Sequence, residues 1–136
     1  MKQFRDSRYW VSEDGRVFSY FPEWYKEYVT IGRNGKPMIA KNKRPEHYNE
    51  FKIQINAKNN RPFVMLSLEP NNAKPIDVHR LVAELYVPGY FEGAEVDHID
   101  CNIQNNHYTN LQWCTPDYNK RKGSNPNYPL YNSQDK

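Results

Sequence analysis

Between Glu95 and Gly123 the chain carries its densest local signals, and they restrict that segment to one arrangement. Two short β-prone runs, Glu95-Val-Asp-His-Ile-Asp100 and Leu111-Gln-Trp-Cys-Thr115, bracket Cys101-Asn-Ile-Gln-Asn-Asn-His-Tyr-Thr-Asn110. Asn side chains bond nearby backbone and tolerate left-handed conformations, so the bracketed segment reads as a loop. Thr115 suits a helix N-cap, Pro116 the first helical position and Gly123 the C-terminal stop. The unit is therefore strand, loop, strand, helix. Upstream, Asp77 can cap a helix in which Val78, Leu81, Val82 and Leu85 fall on one stripe and Pro88 ends the run. His79 and Arg80 lie off that stripe; His79 reads as a packed or surface residue outside the site, and Arg80 as a candidate phosphate contact.

The first 76 residues read as β-hairpins. Tyr9-Trp-Val-Ser12 and Arg16-Val-Phe-Ser-Tyr20 flank Glu13-Asp-Gly15, a hairpin turn signal. Residues 21–50 hold Gly32, Gly35, Pro37 and Pro45 among many Lys and Asn, and only a weak strand over Tyr28–Ile31 emerges. Phe51, Ile53 and Ile55 alternate with Lys52, Gln54 and Asn56, which predicts a half-buried strand paired with Pro62–Leu68. The turn between them, Ala57-Lys-Asn-Asn-Arg61, is polar and basic, so this hairpin could enter a DNA groove wide enough for a two-stranded ribbon. The expected fold class is α+β: a small ββα unit preceded by a helix and an antiparallel hairpin-rich region. The expected division is 1–76, 77–123 and a polar tail, 124–136, either mobile or draped over the domain.

Charge separates along the chain although the total is only +3. Residues 26–61 carry nine Lys/Arg against three Glu, whereas 77–117 carry Arg80 alone against seven acids. A basic stretch suits a polyanion and an acidic one a cation. At 136 residues, 38% hydrophobic and 15% aromatic, with a mean hydropathy of −1.02, the chain fits one domain with a small, ring-rich core. No apolar run approaches the roughly 18 residues of a membrane span and the start lacks a signal-like stretch, so a soluble cytoplasmic protein is expected. Cys101 and Cys114 form no CxxC pair and read as reduced thiols.

The strand-loop-strand-helix unit collects residues with a shared chemistry. Asp97 and His98 are adjacent at the end of the first strand, Asn110 closes the loop and Asn119 lies about one turn into the helix. Folding the helix back across the hairpin is expected to bring all four together. Phosphodiester hydrolysis needs a base for water and a cation for charge on the phosphate and leaving oxygen. A carboxylate and an amide oxygen are hard ligands suited to Mg²⁺ or Mn²⁺, and an imidazole outside that ligand set is free to act as base.

These residues, with Val78-His-Arg-Leu-Val-Ala83, Tyr86-Val-Pro88, Val96-Asp-His-Ile-Asp100, Asn102, Asn105-Asn106, Asn110-Leu-Gln-Trp113, Thr115-Pro116 and Asn119, resemble the HNH endonucleases, specifically the His-Asn-Asn variety of phage and intron-encoded homing endonucleases. The separations of 12 residues from His98 to Asn110 and 9 from Asn110 to Asn119 match the family motif. Tyr9-Trp-Val-Ser12, Gly15-Arg-Val17 and Ser19 resemble a short module that often precedes such nucleases.

The resemblance implies a ββα-metal fold. His98 would activate water, Asp97 and Asn119 would hold one divalent ion (Mg²⁺ or Mn²⁺) per active site, and Asn110 would fix the hairpin within the catalytic constellation. Asn102, Asn105 and Asn106 are read as loop formers, and Cys101 stands where the family frequently has Gly. The cysteine pairs of the zinc-bearing members are missing, so no structural zinc is expected. The partner would be double-stranded DNA, contacted by Lys52, Gln54, Lys58 and Arg61 of the β-rich basic region and by Lys120 and Arg121. Members of this kind often continue into helical DNA-binding repeats, so a chain ending at Lys136 is expected to have a modest footprint and relaxed specificity. A monomer or weak homodimer is expected; one active centre implies nicking, whereas a dimer placing two sites on opposite strands would instead allow double-strand breaks. The reading from another class is a catalytically silent DNA-binding module.

Overall fold

A computed structural model describes residues 1–132. Its elements are β1 (Lys2–Gln3), β2 (Tyr9–Val11), β3 (Val17–Phe21), β4 (Trp24–Ile31), β5 (Pro37–Arg44), β6 (His47–Glu50), β7 (Gln54–Ile55), β8 (Pro62–Glu69), β9 (Asn72–Asp77), α1 (Val78–Tyr86), β10 (Glu95–His98), β11 (Leu111–Cys114) and α2 (Pro116–Lys122). A single 3₁₀ turn, Tyr108–Asn110, leads into β11. The strands form four antiparallel sheets, ordered β1-β2-β3-β6, β4-β5, β7-β8-β9 and β10-β11. The α+β class is as expected.

Helix α1 lies at the centre because its apolar stripe meets every neighbouring layer. Val78, Leu81, Val82 and Ala83 are fully enclosed and join Phe4, Tyr9, Val11 and Val17 of the amino-terminal sheet, Val64 and Leu66 of β8, and Val96, Leu111 and Trp113 of the last hairpin. The core therefore runs across residue 77. Each large aliphatic side chain buried this way contributes about 1.5–3 kcal/mol. Aromatic polar tips tie the layers: the Tyr9 hydroxyl accepts from the Ser67 N–H at 2.9 Å, and the Tyr86 hydroxyl donates to the Val11 carbonyl at 2.7 Å.

Several local expectations need correction. Asp77 precedes α1, but its side chain makes no capping bond. The strand expected from Phe51 is regular only over Gln54–Ile55, because Phe51 and Ile53 turn onto the core while the backbone leaves the sheet. The main partner of β8 is β9, which pairs from Phe63↔Asp77 to Glu69↔Asn72. The largest difference is at residues 24–44. Where the sequence offered only Tyr28–Ile31, the chain forms an eight-residue antiparallel pair, β4-β5, in register from Trp24↔Arg44 to Ile31↔Pro37. Val29, Ile31, Met38 and Ile39 remain more than half exposed on it, so no buried face imposed the alternation that would have revealed it.

Beyond α2 the chain is draped rather than extended. The Tyr131 N–H donates to Gln112 Oε1 at 3.2 Å, and the Tyr118 ring meets Tyr128 and Tyr131 edge-on. The expected tail at 133–136 lies outside the described residues.

Candidate active site

Strand alternation decides how the site is built. In β10, Glu95 and Asp97 point to one face and Val96 and His98 to the other. The first face receives α2 and the second receives α1. The expectation that the four key residues converge is thus met only in part: Asp97 and Asn119 share the α2 face, His98 lies on the α1 face, and Asn110 closes the loop.

On the α1 side, His98 is only 5% exposed, and its Nε2–H donates to Asn106 Oδ1 at 2.8 Å. Because Oδ1 is an acceptor, the proton sits on Nε2 and Nδ1 keeps its lone pair. Burial pushes the imidazole below its ordinary range; the Asn106 hydrogen bond and the charges of Asp97 and Asp100 oppose this, while Arg61 adds to it. His98 is therefore held toward its neutral form. Its ring packs 5.2 Å from that of His79, which α1 buries. His79 was read outside the site; it packs directly against His98 because α1 crosses this face. Burial, then the charge of His98, lowers His79 to about 3, and its Nδ1 has no partner among the described residues.

The loop is organised around Asp100. Its Oδ1 accepts from the Asn102 N–H at 2.8 Å and from Asn110 Nδ2 at 2.8 Å, and its Oδ2 accepts from Asn105 Nδ2 at 3.0 Å. Asn110 also donates to the Asn105 carbonyl and accepts from the Asp100 N–H at 3.1 Å. Asn110 is thereby a lock on the loop. Cys101 adopts φ +62°, the left-handed conformation that explains glycine at this place. Asn106 does more than form a turn: it holds the His98 ring.

On the α2 side, Asp97 is paired across the hairpin with Gln112, whose Nε2 donates to Asp97 Oδ2 at 2.8 Å. The same oxygen receives Lys122 Nζ at 2.7 Å. Thr115 Oγ1 caps α2 by accepting from the Tyr118 N–H at 3.1 Å, which sets the helix across the strand. Asn119 does not touch Asp97; its Nδ2 donates to Glu95 Oε2 at 3.0 Å. This face nevertheless suits a hard divalent cation. Asp97 is a buried carboxylate already compensated by one cation, and an amide and a second carboxylate lie on the same face.

The expected DNA contacts divide by position. The turn holding Lys58 and Arg61 docks against the loop between His98 and Asn110, where Gln104 Nε2 donates to the Asn60 carbonyl at 2.7 Å and the charge of Arg61 is felt at both imidazoles. Lys52, Gln54, Lys58, Lys120 and Arg121 are exposed, and Arg121 pairs with Asp117 at 3.1 Å. Sequence reasoning missed Asn106, Gln112 and Lys122. Gln112 was accessible through the hairpin register, and Lys122 through its place three residues beyond Asn119 on one helix face.

This hairpin crossed by a short helix, with Asp-His on the strand and Asn on the helix, falls where residues 77–121 match the family model described as HNH endonuclease. An uncharacterized HNH endonuclease of Acanthamoeba polyphaga mimivirus is 34% identical over 115 residues, covering 84% of this chain and 26% of that protein. DNA endonuclease I-HmuI of Bacillus phage SP01 is 52% identical over 46 residues, 34% of this chain and 26% of that protein. A solved structure titled for DNA binding and cleavage by the HNH homing endonuclease I-HmuI matches with a TM-score of 0.62 and 30% identity over 95% of this chain and 60% of that one. The chain thus spans about a quarter of the length of the curated relatives it matches.

Proposed function

We propose that this chain is a divalent-metal-dependent DNA endonuclease of the homing type that nicks one strand. The observation that carries the reading is His98: a neutral, buried imidazole adjoining Asp97, with Nε2 tied to Asn106 and Nδ1 left as the base. In this mechanism His98 Nδ1 takes a proton from the attacking water, and Asn106 keeps the ring in the required tautomer and orientation. Asp97 and Asn119 would hold one Mg²⁺ or Mn²⁺, which supplies Lewis-acid stabilisation of charge on the phosphate and the leaving oxygen. Asn110 and Asp100 keep the loop rigid, so base and ligands hold their mutual position.

Duplex DNA would lie across the basic side chains that flank the site. Arg61 and Lys58 are suited to phosphates next to the scissile bond, Lys120 and Arg121 to the α2 side, and Lys52 and Gln54 to the flank. The β4-β5 ribbon supplies a second surface. Trp24, Lys26, Tyr28, Asn42 and Arg44 share one of its faces, and among the described residues no carboxylate pairs with Lys26 or Arg44. Residues 1–76 thus position DNA for the 77–123 unit.

The test is conversion of supercoiled plasmid to nicked and linear forms. Mg²⁺ is expected to support nicking, and EDTA or His98→Ala to abolish it. A folded protein that retains DNA without cutting it, unchanged by His98→Ala, would instead define a binding module.

A further inference from the structure

Among the described residues, Lys122 is the one Lys or Arg whose charge is fully enclosed. Its side chain is 1% exposed, against 7% for Asp97, and all three ammonium protons are used: on Asp97 Oδ2 at 2.7 Å, the His98 carbonyl at 2.7 Å and the Ile99 carbonyl at 3.0 Å. A buried charge persists only where it is compensated in this way. Asp97 Oδ2 also accepts from Gln112, so that oxygen is saturated, while Oδ1 accepts from no group among the described residues. Glu95, the second carboxylate on the face, is exposed and accepts from Asn119.

We propose that Lys122 is the resident counter-ion of Asp97, restricting the carboxylate to a single free oxygen for metal and keeping divalent affinity weak until a DNA phosphate joins the site. The inference rests on the reading that Asp97 helps to hold the cation. An ion on Oδ1 and the ammonium on Oδ2 share one negative charge, and two cations so close repel strongly in a part-buried site. A phosphate diester brings the negative charge that offsets this repulsion. Lys122 thus couples metal retention to the presence of substrate, and it also pins α2, and with it Asn119, to the end of β10. It is a positioning residue that touches neither water nor phosphate in this scheme.

The experiment is calorimetric titration of the full chain with Mn²⁺ in the absence of DNA, together with the Mn²⁺-induced change in melting temperature. For Lys122→Met, the metal-free melting temperature is expected to fall, while Mn²⁺ binds about tenfold tighter or more and produces a larger rise than in wild type. Lys122→Gln, which removes the charge but keeps donors for the two carbonyls, is expected to tighten Mn²⁺ binding equally and serves where the Met variant does not fold. Asp97→Asn is expected to remove the Mn²⁺ response in every background. The proposal is overturned if the folded neutral variants bind Mn²⁺ no tighter than wild type while Asp97→Asn still abolishes binding. If Asp97→Asn leaves wild-type Mn²⁺ binding unchanged, the metal reading itself fails and this inference falls with it.

Discussion

Protonating His79 inside the folded chain would place a charge between α1 and the ring of His98, with no acceptor on its Nδ1 among the described residues. Its folded value of about 3 lies far below the ordinary histidine value, so the unfolded chain takes up the proton first as pH falls. A depressed group of this kind contributes stability above pH 6.5 that is lost progressively between pH 6.5 and about 3. At pH 5 the loss from this residue is about 2 kcal/mol, from about 1.4 kcal/mol per pH unit. Urea unfolding at pH 7 and pH 5 measures it, and His79→Leu is expected to flatten the difference; an unchanged slope would remove His79 as the cause. Asn106 allows a second measurement at this scale. Asn106→Ala is expected to leave the global fold in place but free the His98 ring, lowering cleavage by about 10²-fold. Nitrogen NMR of the imidazole would register the mixed tautomer, a signal that a purely structural role for Asn106 would not move.

The amino-terminal hairpin acts on the catalytic loop as an element. Its turn is seated against that loop: the Tyr108 N–H donates to the Glu13 carbonyl at 2.9 Å, and a Cβ on Gly15 would stand 2.9 Å from Val78 Cγ1 and 3.2 Å from Asn106 Cβ. Gly15 also has φ +92°, which side chains rarely adopt. Gly15→Ala is therefore expected to cost about 1–3 kcal/mol of stability and to reduce cleavage beyond that loss, because one of the two crowded neighbours, Asn106, is the residue that holds His98. Thermal unfolding and single-turnover cleavage of the same preparation would separate the two effects. The DG hairpin itself was legible from local turn chemistry, as were α1 from its apolar stripe and α2 from its cap and stop residues. Its docking was not, since nothing in the sequence tells a turn glycine needed for φ from one needed for space. The candidate site divides in the same way. His98, Asp97, Asn110 and Asn119 stand out by residue type and spacing, but the opposite facing of Asp97 and His98 follows from strand alternation, and Lys122 is hidden in a Lys-Arg-Lys run that reads as a solvated face.

At the scale of the whole molecule, the proposed function asks how a unit with a small core would gain purchase on a duplex. The two faces of the β4-β5 ribbon differ in charge bookkeeping. On one, Lys41 pairs with Glu27 at 3.9 Å and Lys43 with Glu23 at 3.0 Å; on the other, Lys26 and Arg44 stand beside Trp24, Tyr28 and Asn42. Cations that already have carboxylate partners release fewer counterions on meeting phosphate, so the face with Lys26 and Arg44 should dominate the salt dependence of binding. The double variant Lys26→Ala/Arg44→Ala is expected to reduce the slope of log affinity against log salt by about 2, whereas Lys41→Ala/Lys43→Ala changes it less. All four residues are exposed, so neither pair should shift the melting temperature appreciably. Equal slopes for the two double variants would remove the facial assignment, and an unchanged slope for both would confine DNA contact to the turn and helix that flank His98. If the assignment holds, the ribbon supplies affinity at a distance from the chemistry. Weak metal retention at Asp97 then becomes tolerable, because DNA held by the ribbon delivers the phosphate that completes the site.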